Sequence, residues 1–156
     1  MRKPWNLPEL PVYSLATYHE GVVNMNICTY VTAVSLDPKI MMVAVYENTK
    51  TLENILSSDT AILQILHKEQ APLARILGKK SGITYNKFQY LNKKNMLTEW
   101  KNFPVLKDAC AYVELEKLSF LKTGDHNSYF FTVKNAVSRR EEVLTTQDLR
   151  NLAIIS

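Results

Sequence analysis

The stretch from Asn24 to Thr51 constrains the fold more than any other part of the chain. From Val22 the period is two, with Met25 and Ile27 apolar and Asn24 and Asn26 polar between them. The parity then slips: Val31 and Ala33 are apolar on one phase, Val34 and Leu36 on the other. A slip within one β-run predicts a bulge or bend, because a one-residue shift sends every later side chain to the opposite face. Leu36-Asp37-Pro38 ends the strand, since Pro38 has no N–H to give a ladder. Ile40 to Tyr46 is then a continuous apolar run, predicted as a strand covered on both faces. It leads into Glu47-Asn48-Thr49-Lys50-Thr51, with Thr51 the expected N-cap of a short helix carrying Leu52, Ile55 and Leu56 on one face.

Such a loop is chemically suited to a phosphate, which seeks N–H groups at a helix start, short hydroxyl donors and a cation. Asn48-Thr49-Lys50-Thr51 offers two hydroxyls and one ammonium. The same residues also fit an ordinary capped helix after a strand. Lys79-Lys80 follows a predicted helix over Gln70 to Leu77, with Gly78 placed to end it. The helix dipole alone favours lysines there. His126 falls in the Gly124-Asp125-His126 turn, where it would meet a ligand, move a proton or simply be solvated. His19, in the His19-Glu20-Gly21 turn, is read as solvated, and Cys28 as a small packing residue.

Around these features the chain is rich in β-formers. Pro11 to Tyr18 and Thr60 to Leu66 read as strands. Ala111, Val113 and Leu115 alternate with polar neighbours, as do Tyr129, Phe131 and Val133, which predicts a hairpin across Gly124-Asp125-His126-Asn127. Thr145 or Thr146 caps a last helix. Between Thr84 and Phe103 the pattern is irregular and predicts loop with short pieces. The total is six or seven strands with three short helices, a mainly β barrel or sandwich.

The 156 residues, 46% hydrophobic and 22% charged, predict a single domain over residues 1–156, with residues 1–10 as an extended arm in which Trp5 packs on the core or a second subunit. No dense Lys/Arg block accompanies the net charge of +4, which disfavours nucleic acid as a partner. No run reaches the ~18 apolar residues of a membrane helix. The start of the chain lacks the apolar run of a signal peptide, and the two cysteines favour a reducing compartment, so a cytoplasmic protein is expected. Three histidines and two cysteines without ligand spacing give no metal site, and no Gly-x-Ser-x-Gly turn offers a nucleophile. Any hard chemistry would therefore come from a cofactor.

Taken in order, these segments resemble the flavin reductase-like family of FMN-binding split barrels, and its flavoredoxin-type members in particular. The matching pieces are Pro11-Val12-Tyr13, Asn26 to Thr32 leading into Val34 to Pro38, and Asn48-Thr49-Lys50-Thr51 before Leu52 to Ile55. Downstream come Leu77 to Gly82 leading to Asn86-Lys87-Phe88, then Pro104-Val105-Leu106 with Ala109 to Glu114, and Gly124-Asp125-His126 before Tyr129 to Val133. The resemblance spans about residues 11–137 and implies a Greek-key-type barrel, closed or partly open. It also implies a homodimer with FMN near the subunit interface. On it, Cys28, Thr29 and Tyr30 would line the isoalloxazine ring, and Tyr46, Glu47 and Asn48 the ribityl chain and ring. Thr49, Lys50 and Thr51 would bind the phosphate, Lys79 and Lys80 would close the site, and His126 would approach the flavin or an incoming nicotinamide. Related sequences commonly carry Ser and Arg where this chain has Thr49 and Lys50, and a small residue where it has Tyr30.

The implied function is an FMN-binding oxidoreductase taking electrons from NADH, NADPH or a protein donor to free flavin, ferric complexes or a redox partner protein. A non-enzymatic FMN-binding electron carrier or flavin store is the alternative. A cofactor-free interaction module that kept only the barrel is a further one.

Overall fold

The structure, a computed structural model, describes residues 1–156. Its strands are β1 (Tyr13–His19), β2 (Val22–Met25), β3 (Val31–Ser35), β4 (Ile40–Tyr46), β5 (Thr60–Ile65), β6 (Leu97–Trp100), β7 (Phe103–Leu106), β8 (Ala111–Thr123) and β9 (His126–Ser138). Four short α-helices accompany them: α1 (Lys50–Ser57), α2 (Leu73–Lys79), α3 (Lys87–Lys93) and α4 (Thr146–Asn151). Seven strands form one antiparallel sheet in the order β2-β1-β5-β8-β9-β4-β3, and β6 and β7 form a separate hairpin.

The run that looks continuous from Val22 is two strands at opposite edges of the sheet. Between them Asn26 to Tyr30 crosses the gap. Tyr13 and Cys28 exchange both N–H···O bonds at 2.9 Å, and the Ala44 N–H reaches the Tyr30 carbonyl at 2.9 Å. One segment thus touches β1 on one side and β4 on the other. The sheet curls on itself without a continuous closing ladder, which is a partly open split barrel, mainly β with short helices. The predicted bulge lies at Val34, where the β3–β4 register shifts between Ala33 and Ser35.

Two apolar clusters explain the strand patterns. Leu15, Val43, Leu63, Leu115, Tyr129 and Phe131 fill the barrel. Outside it, Ala16 and Ile62 on the opposite faces of β1 and β5 pack with Leu77, Leu91, Leu106 and Leu149. Burial on both faces makes β1 and β5 central strands. β4 differs from its expectation: Val43 and Val45 are buried inward, but Ala44 is half-buried and Tyr46 exposed on the outward face.

Several local expectations are corrected. Thr49, not Thr51, caps α1, because Thr49 is extended and its hydroxyl accepts from the Leu52 N–H at 3.2 Å. Gly78 lies inside α2 rather than ending it; a Cβ there would stand 3.4 Å from Ile27, so it permits close packing under the crossing segment. The irregular stretch contains α3 and the β6–β7 hairpin, whose turn residues Lys101 and Asn102 have φ of 49° and 65°. Neither is a glycine, so the turn signal was weak. The predicted long hairpin is present, with thirteen residues in each of β8 and β9. Residues 4–6 of the N-terminal arm form a 3-10 turn, and Trp5 is exposed rather than packed on the core.

Candidate functional site

A cavity of about 460 Å³ opens on the outer face of the barrel where the crossing segment meets β4. Every residue that the resemblance assigns to the flavin site lines it: Cys28, Thr29 and Tyr30; Tyr46, Glu47, Asn48, Thr49, Lys50 and Thr51; Lys79 and Lys80; and His126. They come from four separate parts of the chain, so their meeting is a property of the fold. Asn24, Asn26, Ala44, Ser81, Gly82 and Lys87 also line the cavity and were not anticipated as site residues. Their signal was faint because Asn24 and Asn26 look like the polar phase of a strand, and Lys87 like an ordinary surface lysine.

At one end lies the helix-opening loop. Asn48 takes the left-handed φ of 57°, turning the chain out of β4 so that α1 starts at the cavity wall. The Thr49 hydroxyl is committed on both sides: it donates to the Tyr46 carbonyl at 2.8 Å and accepts from the Leu52 N–H. Thr51 is buried and accepts from the Asn24 side-chain amide at 3.1 Å, which leaves its own hydrogen to donate. Lys50 pairs with Glu53 at 2.9 Å. Opposite, the loop after α2 approaches so closely that a Cβ on Gly82 would overlap Asn24 Oδ1 and stand 3.0 Å from Lys50 Cβ. Lys80 is held over the Tyr85 ring at 4.3 Å.

Where β4 pairs with the start of β9 is an aromatic corner. The His126 ring lies 5.4 Å from Tyr30 and 5.0 Å from Tyr46. Its Nδ1 is 2.6 Å from Asp125 Oδ1. A carboxylate only accepts, so Nδ1 carries the hydrogen and Nε2 is left available to a ligand. Ala44, Ile27 and Leu77 add apolar lining to the cavity. The Cys28 thiol is pushed up to about 12 by burial, so it is a neutral wall at ordinary pH. No group of three or more His, Cys, Asp or Glu side chains is placed to hold a metal.

Lysines, a hydroxyl free to donate, neutral side chains and aromatic rings thus face one cavity. The comparisons with known proteins point the same way. A model of the flavin reductase-like domain family matches residues 9–151. The chain belongs to that family, and with it to the flavin-related oxidoreductases. Among solved structures, it is similar to an FMN-binding protein from Thermus thermophilus, with TM-score 0.78 and 22% identity over 88% of this chain and 75% of that one. A flavoredoxin from Methanosarcina acetivorans matches with TM-score 0.76 and 17% identity over 89% and 75% of the two chains. An NADH:FAD oxidoreductase from Streptomyces globisporus matches with TM-score 0.80 and 16% identity over 92% and 84%. At these identities the likeness is one of fold. No curated protein matches the chain. No helix is long and apolar enough to cross a membrane.

Proposed function

We propose that the cavity holds FMN and that the protein passes electrons from a reduced nicotinamide or a protein donor, through the flavin, to free flavin, ferric complexes or a partner protein. The convergence of the Asn48–Thr51 loop, the Cys28–Tyr30 segment and His126 on one cavity carries this reading. The family membership and the similarity to an FMN-binding protein and a flavoredoxin support it. A bound flavin would supply two-electron acceptance and one- or two-electron release, which no side chain here provides.

The chain's own residues bind and orient. Thr51 donates its hydroxyl and Lys50 its charge to the phosphate; the backbone N–H groups opening α1 add a favourable field. Lys79 and Lys80 close that end. Cys28, Thr29 and Tyr30 form one wall for the ring, while Tyr46, Glu47 and Asn48 run along the other. His126, fixed by Asp125, presents Nε2 to an incoming donor and sets its approach.

The protein works as a homodimer in this proposal, within the cytoplasm, where Cys28 and Cys110 stay free. Tyr30, Tyr46 and Leu121 are exposed on the outer sheet face beside the cavity, an apolar surface that a second subunit would cover. Tyr30 standing next to His126 also favours the reading of an electron carrier with restricted access. One experiment separates the two. The protein is incubated with FMN, desalted, and titrated with NADH or NADPH without oxygen while its visible spectrum is followed. Bleaching of a retained flavin band is expected for the reductase. A band that stays oxidised identifies the carrier, and a colourless protein overturns the FMN assignment.

A further inference from the structure

Between Ala71 and Lys107 the chain carries eight Lys and Arg side chains against one carboxylate, Glu99. The rest of the chain carries eleven against fourteen. The mild net charge of +4 thus divides into a strongly basic segment and an acidic remainder. The basic segment is also one structural layer. α2, α3 and β7 turn Leu73, Leu77, Leu91, Val105 and Leu106 onto the outer face of β1 and β5, against Ala16 and Ile62. With its apolar side chains turned inward, the layer leaves its cations to solvent: Lys79, Lys80, Lys93, Lys94 and Lys101 are all exposed.

None of the eight takes part in an ion pair, whereas Lys50, Lys117, Lys122, Lys134 and Arg140 elsewhere each face a carboxylate. Like charges gathered without counter-charges repel one another, so the layer is suited to a partner that brings the carboxylates. Beside these cations opens a groove of about 420 Å³, lined by Val22 and Val23 of β2 and by Ile83, Tyr85 and Phe88. Val22 and Ile83 are 45% and 51% exposed, two aliphatic side chains open to solvent. Lys80 lies over the Tyr85 ring and, with Lys79, lines the neighbouring flavin cavity. α3 runs from Lys87, in the groove lining, to Lys93, about 9 Å along its axis. An apolar centre with a charged rim is the anatomy of a protein–protein contact.

We propose that an acidic segment of a partner protein docks here, its carboxylates on Lys79, Lys80, Lys93 and Lys94 and one aliphatic side chain in the groove between Val22 and Ile83. This names the chemistry of the partner in the proposed function and rests on that reading for its purpose, because Lys79 and Lys80 belong both to the rim and to the flavin cavity. A nucleic acid fits less well. Of the eight cations only Arg75 has the forked guanidinium that suits phosphate, and it donates to the Leu152 carbonyl at 3.4 Å. The face of Tyr85 on which a base would stack is covered by Lys80. A lipid surface is disfavoured because α2 and α3 bury their apolar sides.

The test is fluorescence anisotropy of the whole protein with a labelled peptide, Glu-Asp-Glu-Leu-Glu-Asp-Glu, alongside its Ser-for-Leu version, a labelled DNA duplex and phosphatidylserine vesicles. The expected result is peptide binding that weakens with salt and falls at least threefold when Ser replaces Leu. Lys93→Glu with Lys94→Glu is expected to lower peptide affinity at least tenfold, and Ile83→Ser at least threefold. Both variants should keep FMN affinity within twofold and the native thermal midpoint, since none of these residues lines the flavin cavity. Lys39→Glu with Arg139→Glu changes the net charge equally on exposed, unpaired residues outside the layer, and is expected to change peptide affinity less than twofold. Equal losses in the two charge-reversed variants overturn the proposal, because net charge alone would then hold the peptide. DNA or vesicles bound more tightly than the peptide overturn it in favour of those partners. FMN binding with the peptide ignored overturns it while the flavin reading stands; peptide binding without FMN overturns the flavin reading and leaves the docking surface.

Discussion

The side-chain amide of Asn24 donates to the Thr51 hydroxyl at 3.1 Å, and both residues are buried. This one bond ties the edge strand β2 to the first turn of α1 and so fixes the cation-bearing end of the cavity. Asn24→Ala removes the donor and leaves a buried hydroxyl poorly satisfied. The expected cost is about 1–3 kcal/mol in urea denaturation, with at least a tenfold loss of FMN affinity. A variant that is destabilised but binds FMN normally would show that the loop holds its shape without Asn24.

Thr49 and Thr51 separate a cap from a ligand. Thr49 has both sides of its hydroxyl engaged by backbone, so Thr49→Ala is expected to lower stability by about 1 kcal/mol and to change FMN affinity only slightly. Thr51→Val is expected to lose FMN affinity strongly, and Thr51→Ser to restore it. Equal losses of affinity at both positions would return Thr49 to the phosphate.

Sequence patterns revealed parts of this architecture whose neighbours are local. The β8–β9 hairpin shows in the alternation of Ala111, Val113 and Leu115 and of Tyr129, Phe131 and Val133, with Gly124 at φ 57° in its turn. The Val34 bulge shows as a parity slip. The break at Asn26–Tyr30 does not, because residues crossing between two sheet edges keep β-like alternation while changing partners. α3 was hidden because of its seven residues only Lys87 and Leu91 are fully buried, although Asn86 accepting from the Gln89 N–H is an N-cap signal. The loop half of the cavity was legible from its hydroxyls and lysine. Asn24, Gly82 and Lys87 were not, since each acquires its role only through distant residues that the fold places against it.

His126 and Asp125 give a second functional prediction. Asp125→Asn replaces an acceptor-only carboxylate with a side chain that can also donate, so the imidazole loses its enforced orientation. The maximal rate of flavin reduction by NADH is expected to fall about tenfold in stopped-flow traces, with FMN affinity within twofold. His126→Asn should fall at least as far. Unchanged reduction rates in both variants would remove His126 from the path of the donor.

Gly82 is a steric prediction. No Cβ fits there without displacing Asn24 or Lys50 Cβ. Gly82→Ala is therefore expected to lower FMN affinity, by pushing the cavity wall at Asn24 and Lys50 out of place. The thermal midpoint should drop by only a few degrees, because the loop is exposed on its other side. A variant with native affinity would mean that the loop shifts freely.

Cys28 and Lys87 titrate in opposite senses at alkaline pH, and the difference is measurable. Burial pushes the Cys28 thiol from 9.0 up to about 12, so its contribution to stability is whole below pH 9 and is lost as pH rises towards 12. Burial pulls the Lys87 ammonium from 10.5 down to about 8. Below pH 8 both the folded and unfolded chains carry its proton, and the full desolvation cost is present. Between pH 8 and 10.5 the unfolded chain binds more protons than the folded one, and stability attributable to Lys87 rises with pH. Buried tyrosines and Cys28 oppose that rise in the wild type, so the comparison is made against Lys87→Met. In ligand-free protein the stability advantage of Lys87→Met over wild type is expected to shrink between pH 8 and 10.5. An anion seated on Lys87, which lines the same cavity, favours the charged form and raises its pKa, so saturating FMN is expected to move that window upward. If the two proteins keep a constant difference across the range, the ammonium is solvated, and a bound anion is not needed to stabilise it.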